Sequence, residues 1–246
     1  MEEFFIQLRS LLDKPSSAPR YMQLAKALEL TIHQRRDLSG HFLPPERQLV
    51  QLLGLSRVTV SRSLALLEQK GLILRQQGVG TRIALQLDYA LTSDEPGFSA
   101  LVQQRGGVAS NNWLERITDV AMTPALALTM NLPESVVLTK LRRVRLLNDE
   151  PASLETVWIP QRWLPKPEEI EHSLYGYWRE RHIFPENRRY RVRAVSATRE
   201  ISKLLKVPNG MPLLFSRQHT FDAKGELLEY CEIYCRSDIY EFEVSD

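Results

Sequence analysis

Leu43-Pro44-Pro45-Glu46-Arg47-Gln48-Leu49, then Gly54-Leu55-Ser56-Arg57-Val58-Thr59-Val60-Ser61-Arg62, then Gly71-Leu72-Ile73-Leu74 follow one another within a short span of the chain. Proline suits the first turn of a helix, where its missing N–H would have been unpaired anyway, and Glu46 there complements the positive end of the helix dipole. Leu49, Leu52 and Leu53 give this short helix one apolar face. Gly54 suits a left-handed C-terminal residue, and Ser56 an N-cap. The next helix carries Val60, Leu64 and Leu67 at i, i+4 and i+7 and stops at Gly71. Two short helices about a tight glycine turn outline a helix-turn-helix.

Upstream, Leu24, Leu28 and Ile32 recur at helical spacing. Downstream, Leu72-Ile73-Leu74 and Thr81-Arg82-Ile83 flank Arg75-Gln76-Gln77-Gly78-Val79-Gly80, a hairpin with a glycine-rich tip. Helix, helix, turn, helix, hairpin is the order of a winged helix, here over residues 20–84. Such a helix fits the major groove of DNA, where Arg, Ser and Thr read base edges. Arg57 extends toward a base at the helix start, with Ser61 and Arg62 following. The hydroxyls of Ser56 and Thr59 are short enough to meet phosphates, and Arg47 lies against the backbone. A glycine at the wing tip, Gly78, lets the main chain come close. Residues 1–19 are an N-terminal extension in which Phe5, Leu8, Leu11 and Leu12 form a short packing helix before the breaker Lys14-Pro15-Ser16-Ser17-Ala18-Pro19.

Tyr21, Leu43-Pro-Pro-Glu46-Arg47, Leu49, Leu55-Ser56-Arg57-Val58-Thr59-Val60, Leu67-Glu68, Gly71-Leu72-Ile73 and Gly78-Val79-Gly80-Thr81 together resemble the winged-helix domain of GntR-family bacterial transcription regulators. The resemblance implies DNA contacts by Arg47, Ser56, Arg57 and Thr59 and places the wing near the minor groove through Gln77 and Gly78. One departure stands out. The family usually has Arg after Thr-Val, whereas this chain has Ser61 followed by Arg62. One residue is ~100° around a helix, so the operator sequence does not carry over.

Charge agrees with a DNA-binding head. From Arg20 to Leu87 ten Lys/Arg face four Asp/Glu, a balance of +6, while residues 88–246 carry twenty against twenty-three, or −3. A basic head on a slightly acidic body suits a polyanionic partner. The 246 residues are 43% hydrophobic and 25% charged, which excludes disorder and fibrous repeats. No apolar run approaches the ~18–20 residues of a spanning helix, and no secretory signal opens the chain. Cys231 and Cys235, four residues apart on a strand, are ~13 Å apart and too distant for a disulfide. The chain reads as a bacterial cytoplasmic protein acting at the nucleoid, without membrane, metal or cofactor.

After a linker at residues 85–95, the body (96–246) mixes helix and strand in an α+β pattern. Ser99 is placed as an N-cap. A strand from Val137 to Leu147 turns at Asn148-Asp149-Glu150 and returns through Leu154 and Trp158. Thr123 to Pro133 echoes Thr198 to Pro208 about seventy-five residues later, and the turn recurs at Ala223-Lys224-Gly225. Two units of helix, strand, hairpin and strand could share one antiparallel sheet. Period two puts Arg143 and Arg145 on the same face as Val137 and Leu141 with Cα atoms ~7 Å apart. Two guanidiniums so placed call for an anion between them, and Arg suits phosphate or carboxylate.

Gly97-Phe98-Ser99, Leu141-Arg-Arg143-Val-Arg145, Asp149-Glu-Pro-Ala-Ser-Leu-Glu155, Ser173-Leu-Tyr175, Leu228-Glu229-Tyr230 and Arg236-Ser-Asp238-Ile-Tyr240 resemble the UTRA effector-binding domain of the HutC subgroup, whose fold is like that of chorismate lyase. In relatives that bind phosphosugars, Ser99, Arg143, Arg145, Ser173 and Tyr175 match positions that grip the acidic group, with Phe98 in the same motif. Glu155 and Glu229 match positions on the polar remainder. Cys235 stands where such relatives often carry Tyr. The expectation is a homodimeric regulator, of repressor type, that reads a palindromic duplex operator under control of a small anionic effector. The rivals are a lyase-like enzyme with an accessory head, against which no nucleophile motif or metal-ligand spacing is found, and an architectural DNA binder, which leaves Arg143 and Arg145 unexplained.

Overall fold

A computed structural model describes residues 2–35, 38–76, 78–84, 87–90, 97–104, 107–171 and 173–243. The chain divides into two units, Met1–Gln86 and Leu87–Asp246.

The first unit runs α1 (Glu2–Leu12), α2 (Arg20–Gln34), β1 (Phe42–Leu43), α3 (Glu46–Leu53), α4 (Arg57–Gln69), β2 (Ile73–Gln76) and β3 (Gly80–Ile83). Pro45 is the N-cap of α3, and Gly54 closes it at φ +64°. Ser56 caps α4 by accepting from the Thr59 amide. Leu24, Leu28, Ile32, Leu49, Val60, Leu64 and Leu67 share one core. Leu52, placed on the apolar face of α3 by periodicity, is instead exposed, and its carbonyl accepts from Arg9. The buried Ser63 hydroxyl lies 2.8 Å from the Tyr21 carbonyl and 2.7 Å from that of Thr59, tying α4 to α2. β1 joins the β2–β3 hairpin in a three-stranded sheet of order β1-β3-β2, a strand that two residues were too short to announce.

α1 belongs to this core. Phe4 and Leu8 are fully buried among the residues of α2 and α3, so the extension is a structural part of the head. Phe4→Ala is expected to cost about 3–5 kcal/mol of head stability, the usual effect of truncating a buried Phe. Urea denaturation followed by circular dichroism checks this; an unshifted transition contradicts the packing of α1.

The second unit runs β4 (Leu87–Ala90), α5 (Gly97–Gln104), β5 (Ala109–Val120), α6 (Pro124–Met130), β6 (Leu138–Leu147), β7 (Glu150–Pro160), α7 (Leu174–Glu180), β8 (Asn187–Ser196), α8 (Arg199–Leu205), β9 (Pro212–Phe221), β10 (Leu227–Arg236) and β11 (Tyr240–Glu243). Six antiparallel strands form one sheet in the order β5-β6-β7-β10-β9-β8, and β11 pairs in parallel with β4. The internal echo explains that order. Thr123 and Thr198 cap α6 and α8, and Asn131 and Lys206 end them in left-handed conformation. Each repeat is strand, helix, strand, strand, one strand longer at its start than the sequence echo indicated, and the two meet between β7 and β10.

Asn148 and Asp149 both adopt positive φ in the two-residue turn between β6 and β7, the primed geometry that matches the twist of a hairpin. Leu138 and Tyr230 pack against Met130 of α6, while Val144, Leu154 and Leu213 pack beneath α8. On the opposite face, Leu141, Val157 and Leu228 pack against Leu174 and Trp178 of α7. Val137 precedes the strand and is half exposed.

Candidate functional site

The head presents the first turn of α4. Ser56, Arg57, Val58 and Arg62 are exposed, and Thr59 and Ser61 are half-buried. The Ser56 and Thr59 hydroxyls lie 2.9 Å apart, and Ser56 also accepts from the Thr59 amide at 3.1 Å. That mutual bond uses one hydroxyl proton and leaves the other for an incoming acceptor. Arg62 does not run parallel to Arg57: its guanidinium lies 5.0 Å above the Tyr21 ring on α2. Arg47 is exposed, and its neighbour Glu46 is paired with Arg75, which also meets Glu68 at 3.7 Å. Local carboxylates are thus tied off. Among the described residues Arg47 and Arg57 have no carboxylate within ion-pair distance. At the wing, Gly78 is exposed at φ +79°, and Val79 is exposed beside it. Gln77 lies outside the described residues.

The body holds a cavity lined by Phe98, Arg143, Arg145, Glu155, Ser173, Tyr175 and Glu229. Its volume is about 60 Å³, room for roughly four waters or one small acidic group. β6 is an interior strand, so Arg143 and Arg145 are almost fully buried, 3% and 5% exposed. The register sets Glu155 of β7 directly across from Arg143. The anion between the guanidiniums is therefore the chain's own carboxylate: Arg143 donates through Nε to Glu155, and Arg145 Nε lies 4.0 Å from the same oxygen. Arg145 also donates to Asn111 Oδ1 at 2.8 Å and Ser99 Oγ at 3.2 Å. Trp113 and Phe98 lie under the two guanidiniums at 5.0 and 4.4 Å. α5 starts at Gly97, so Ser99 sits inside its first turn rather than at the N-cap, where its hydroxyl faces Arg145. A Cβ on Gly97 would come within 3.0 Å of the Tyr175 ring, which is why glycine opens this helix.

A second end, built around Glu229, faces the arginine cluster. Glu229 Oε1 accepts from Tyr175 at 2.6 Å, Thr220 at 2.9 Å and Gln218 at 3.3 Å. Ser173 lines the cavity while capping α7 through the Gly176 amide, and Tyr175 stacks on Trp178. Cys231 reaches Glu155 at 3.6 Å, and burial first, then the nearby carboxylates, push its thiol up, so it stays neutral. Tyr240, bonded to Ser153 at 3.1 Å, supplies a phenol to the cavity that Cys235 also lines.

Electrostatics separates the two ends. Burial first, then the Arg143 charge, push Arg145 down to about 10. Burial works to raise Glu155, but the charges of Arg143 and Arg145 outweigh it and hold the carboxyl below its ordinary value. Two cations against one carboxylate leave a single positive charge on this cluster, and Arg143 Nη1 is buried without a hydrogen-bond partner among the described residues. Burial raises Glu229, and its hydrogen bonds do not cancel that effect.

The two glutamates act oppositely on stability. Glu155, lowered, stabilises the fold above its unfolded pKa, and that contribution is lost as pH falls through the folded value. Glu229, raised, favours the fold at low pH and costs stability as pH rises through its folded value. Glu229→Gln is therefore expected to melt with wild type near pH 4 and above it at pH 8, by roughly 2–4 °C per kcal/mol relieved. A gap that does not widen with pH contradicts this.

The sequence did not single out Gln218, Thr220, Asn111 or Trp113. Gln218 and Thr220 stand seventy-five residues after Arg143 and Arg145, so the internal echo pointed to them. Asn111 and Trp113 face Arg145 and Arg143 only through the β5–β6 register, which no local signal reveals.

Comparison with known proteins bears on both units. Residues 20–83 match the model of bacterial regulatory proteins of the gntR family, and residues 104–241 match the UTRA domain. HTH-type transcriptional regulator GgaR of Escherichia coli is 31% identical over 98% of this chain and 96% of its own length. HTH-type transcriptional repressor NagR of Bacillus subtilis is 26% identical over 94% of this chain and 96% of its own. Among solved structures, PhnF from Mycobacterium smegmatis aligns with a TM-score of 0.65 at 20% identity, covering 88% of this chain and 97% of that one. It shares the fold.

Proposed function

The chain is a transcriptional regulator of the GntR family with a UTRA domain as its body, and from that premise we propose that it is a homodimeric repressor released from or locked onto a palindromic operator by a small anionic metabolite. Repressor action follows NagR, which is named a repressor. In this reading α4 lies in the major groove with Arg57 on a base, Ser61 and Arg62 alongside, and Ser56, Thr59 and Arg47 on phosphates. Gln77 and Gly78 carry the wing to the neighbouring groove. Two-fold proteins match half-sites about one helical turn apart. The protein works at the bacterial nucleoid in the cytoplasm.

The effector reading rests on one observation: a buried Arg143–Glu155–Arg145 cluster lining the cavity, with two cations to one carboxylate and, among the described residues, no hydrogen-bond partner for Arg143 Nη1. An anion that takes this donor completes the cluster. Ser99, Phe98 and Ser173 border that end, and Tyr175 and Glu229 face the rest of the ligand. A phosphosugar matches both ends in chemistry, phosphate for the arginines and hydroxyls for the Glu229 end; at about 60 Å³ the cavity seats the acidic group alone, so the sugar requires it to widen. Coupling between effector and DNA is expected at ~1–3 kcal/mol, reciprocal by linkage. A thermal-shift panel of phosphosugars, their dephosphorylated forms and sugar acids tests the assignment. Stabilisation by the anions but not by the neutral sugars supports it; stabilisation by neutral sugars alone overturns it.

A further inference from the structure

The far half of the body's sheet carries a second cationic feature. Arg189, Arg191 and Arg193 alternate along β8, roughly 7 Å apart and on one face. Arg217 of β9 stands directly across from Arg191, and His219 across from Arg189. Like charges directly opposite each other weaken a sheet. The guanidiniums rest on rings: Arg189 on Phe221 and Arg193 on Phe215, each at 5.1 Å, with Arg217 5.7 Å from Phe215. Arg189, Arg191, Arg217 and His219 line a groove of about 650 Å³. Among the described residues no carboxylate lies within 4.0 Å of any of the four arginines. The acids nearby are engaged elsewhere: Glu232, the register partner of Arg217, accepts from Tyr230, and Glu226 pairs with Arg162.

The internal repeat provides a comparison within the same molecule. Arg142 stands seventy-five residues before Arg217, and the residue across from it on the edge strand is Glu115. Arg142 pairs with Glu115 and Glu200, and Lys140 pairs with Glu115 at 2.6 Å. One half of the sheet neutralises this position; the other sets Arg against Arg. The fold does not require the charge.

We propose that the β8–β9 strip binds the phosphate backbone of duplex DNA without regard to sequence, adding contacts from the body to those of the head. This rests on the DNA-binding reading above. A straight row of cations follows a linear polyanion, and the guanidinium forks are pre-oriented for phosphate. The rings beneath are covered by guanidiniums, so they offer no platform for unpaired bases, which favours duplex over single strand.

The test uses the full chain and measures duplex affinity against salt concentration. Arg189→Gln/Arg191→Gln/Arg217→Gln is expected to lower the slope of log K against log salt by about 0.9 for each phosphate no longer neutralised, or roughly 2–3 in all. The ratio of operator to scrambled duplex stays unchanged. Arg191→Lys/Arg217→Lys keeps the charge and the slope, which separates a missing cation from a failure to fold. Arg142→Gln, one charge removed from the paired half, leaves the slope as it is. An unchanged slope in the triple variant overturns the proposal, as does an equal fall in Arg142→Gln and Arg191→Gln, which makes net charge the cause. A change in sedimentation behaviour with no change in slope assigns the strip to a second copy and also overturns it. A wild-type chain that binds no duplex sinks the DNA-binding reading itself, whereas an unchanged slope with operator preference intact sinks only this strip.

Discussion

Arg57→Ala is expected to erase the preference for the operator while leaving weak, salt-sensitive binding to any duplex. Arg57 is exposed in the first turn of α4, free of carboxylate partners among the described residues, and flanked by a capped helix start. A bidentate contact to guanine discriminates by about 1–3 kcal/mol, roughly 5- to 150-fold per half-site. Phosphate contacts by Arg47 and the Ser56–Thr59 pair persist in the variant and carry no sequence information. Competition anisotropy with operator and scrambled duplexes reads the ratio directly. Arg62→Ala is expected to do less, because its guanidinium already rests on Tyr21. If Arg57→Ala keeps the wild-type ratio, base reading lies elsewhere on the head.

The second large effect belongs to the body. Arg143→Met removes the unpaired Nη1 and leaves Glu155 with Arg145, so the charged end becomes neutral. Hydrogen bonds to charged groups contribute about 1.5–3 kcal/mol, which corresponds to 10- to 150-fold weaker anion binding. Ligand-free operator affinity is expected to stay at the wild-type value, since the substitution lies in the other unit. Removing one partner of a buried ion pair costs up to about 3–5 kcal/mol, less here because Arg145 still meets Glu155, so a lowered melting midpoint accompanies the weakened response. Calorimetric titration with the best ligand of the phosphosugar panel, beside an operator titration of the same preparation, separates the two readouts. A response of wild-type size rules out the arginine cluster as the anion site.

What the sequence disclosed follows from how local each signal is. The head rests on caps, glycine corners and 3.6-residue periodicity, so its helices and hairpin are legible; β1, only two residues long, is not. The Phe4 side chain falls outside the apolar pattern of α1 because adjacent phenylalanines make its face ambiguous. In the body, period two correctly places Arg143 and Arg145 together. It does not reveal Glu155 as their shared counter-ion, since that depends on the β6–β7 register across a turn. The position of Ser99 is misread for a related reason: a serine just after a glycine breaker looks like a cap, yet α5 already begins at Gly97, two residues before it.

A DNA-reading head governed by an anion in the body can be tested, both halves together, in one titration. Operator affinity of the full chain is measured by anisotropy at fixed salt, with and without a saturating anion already seen by calorimetry to bind. The midpoint is expected to move by about 5- to 150-fold, in either direction. Coincident curves, with the anion bound, contradict that control.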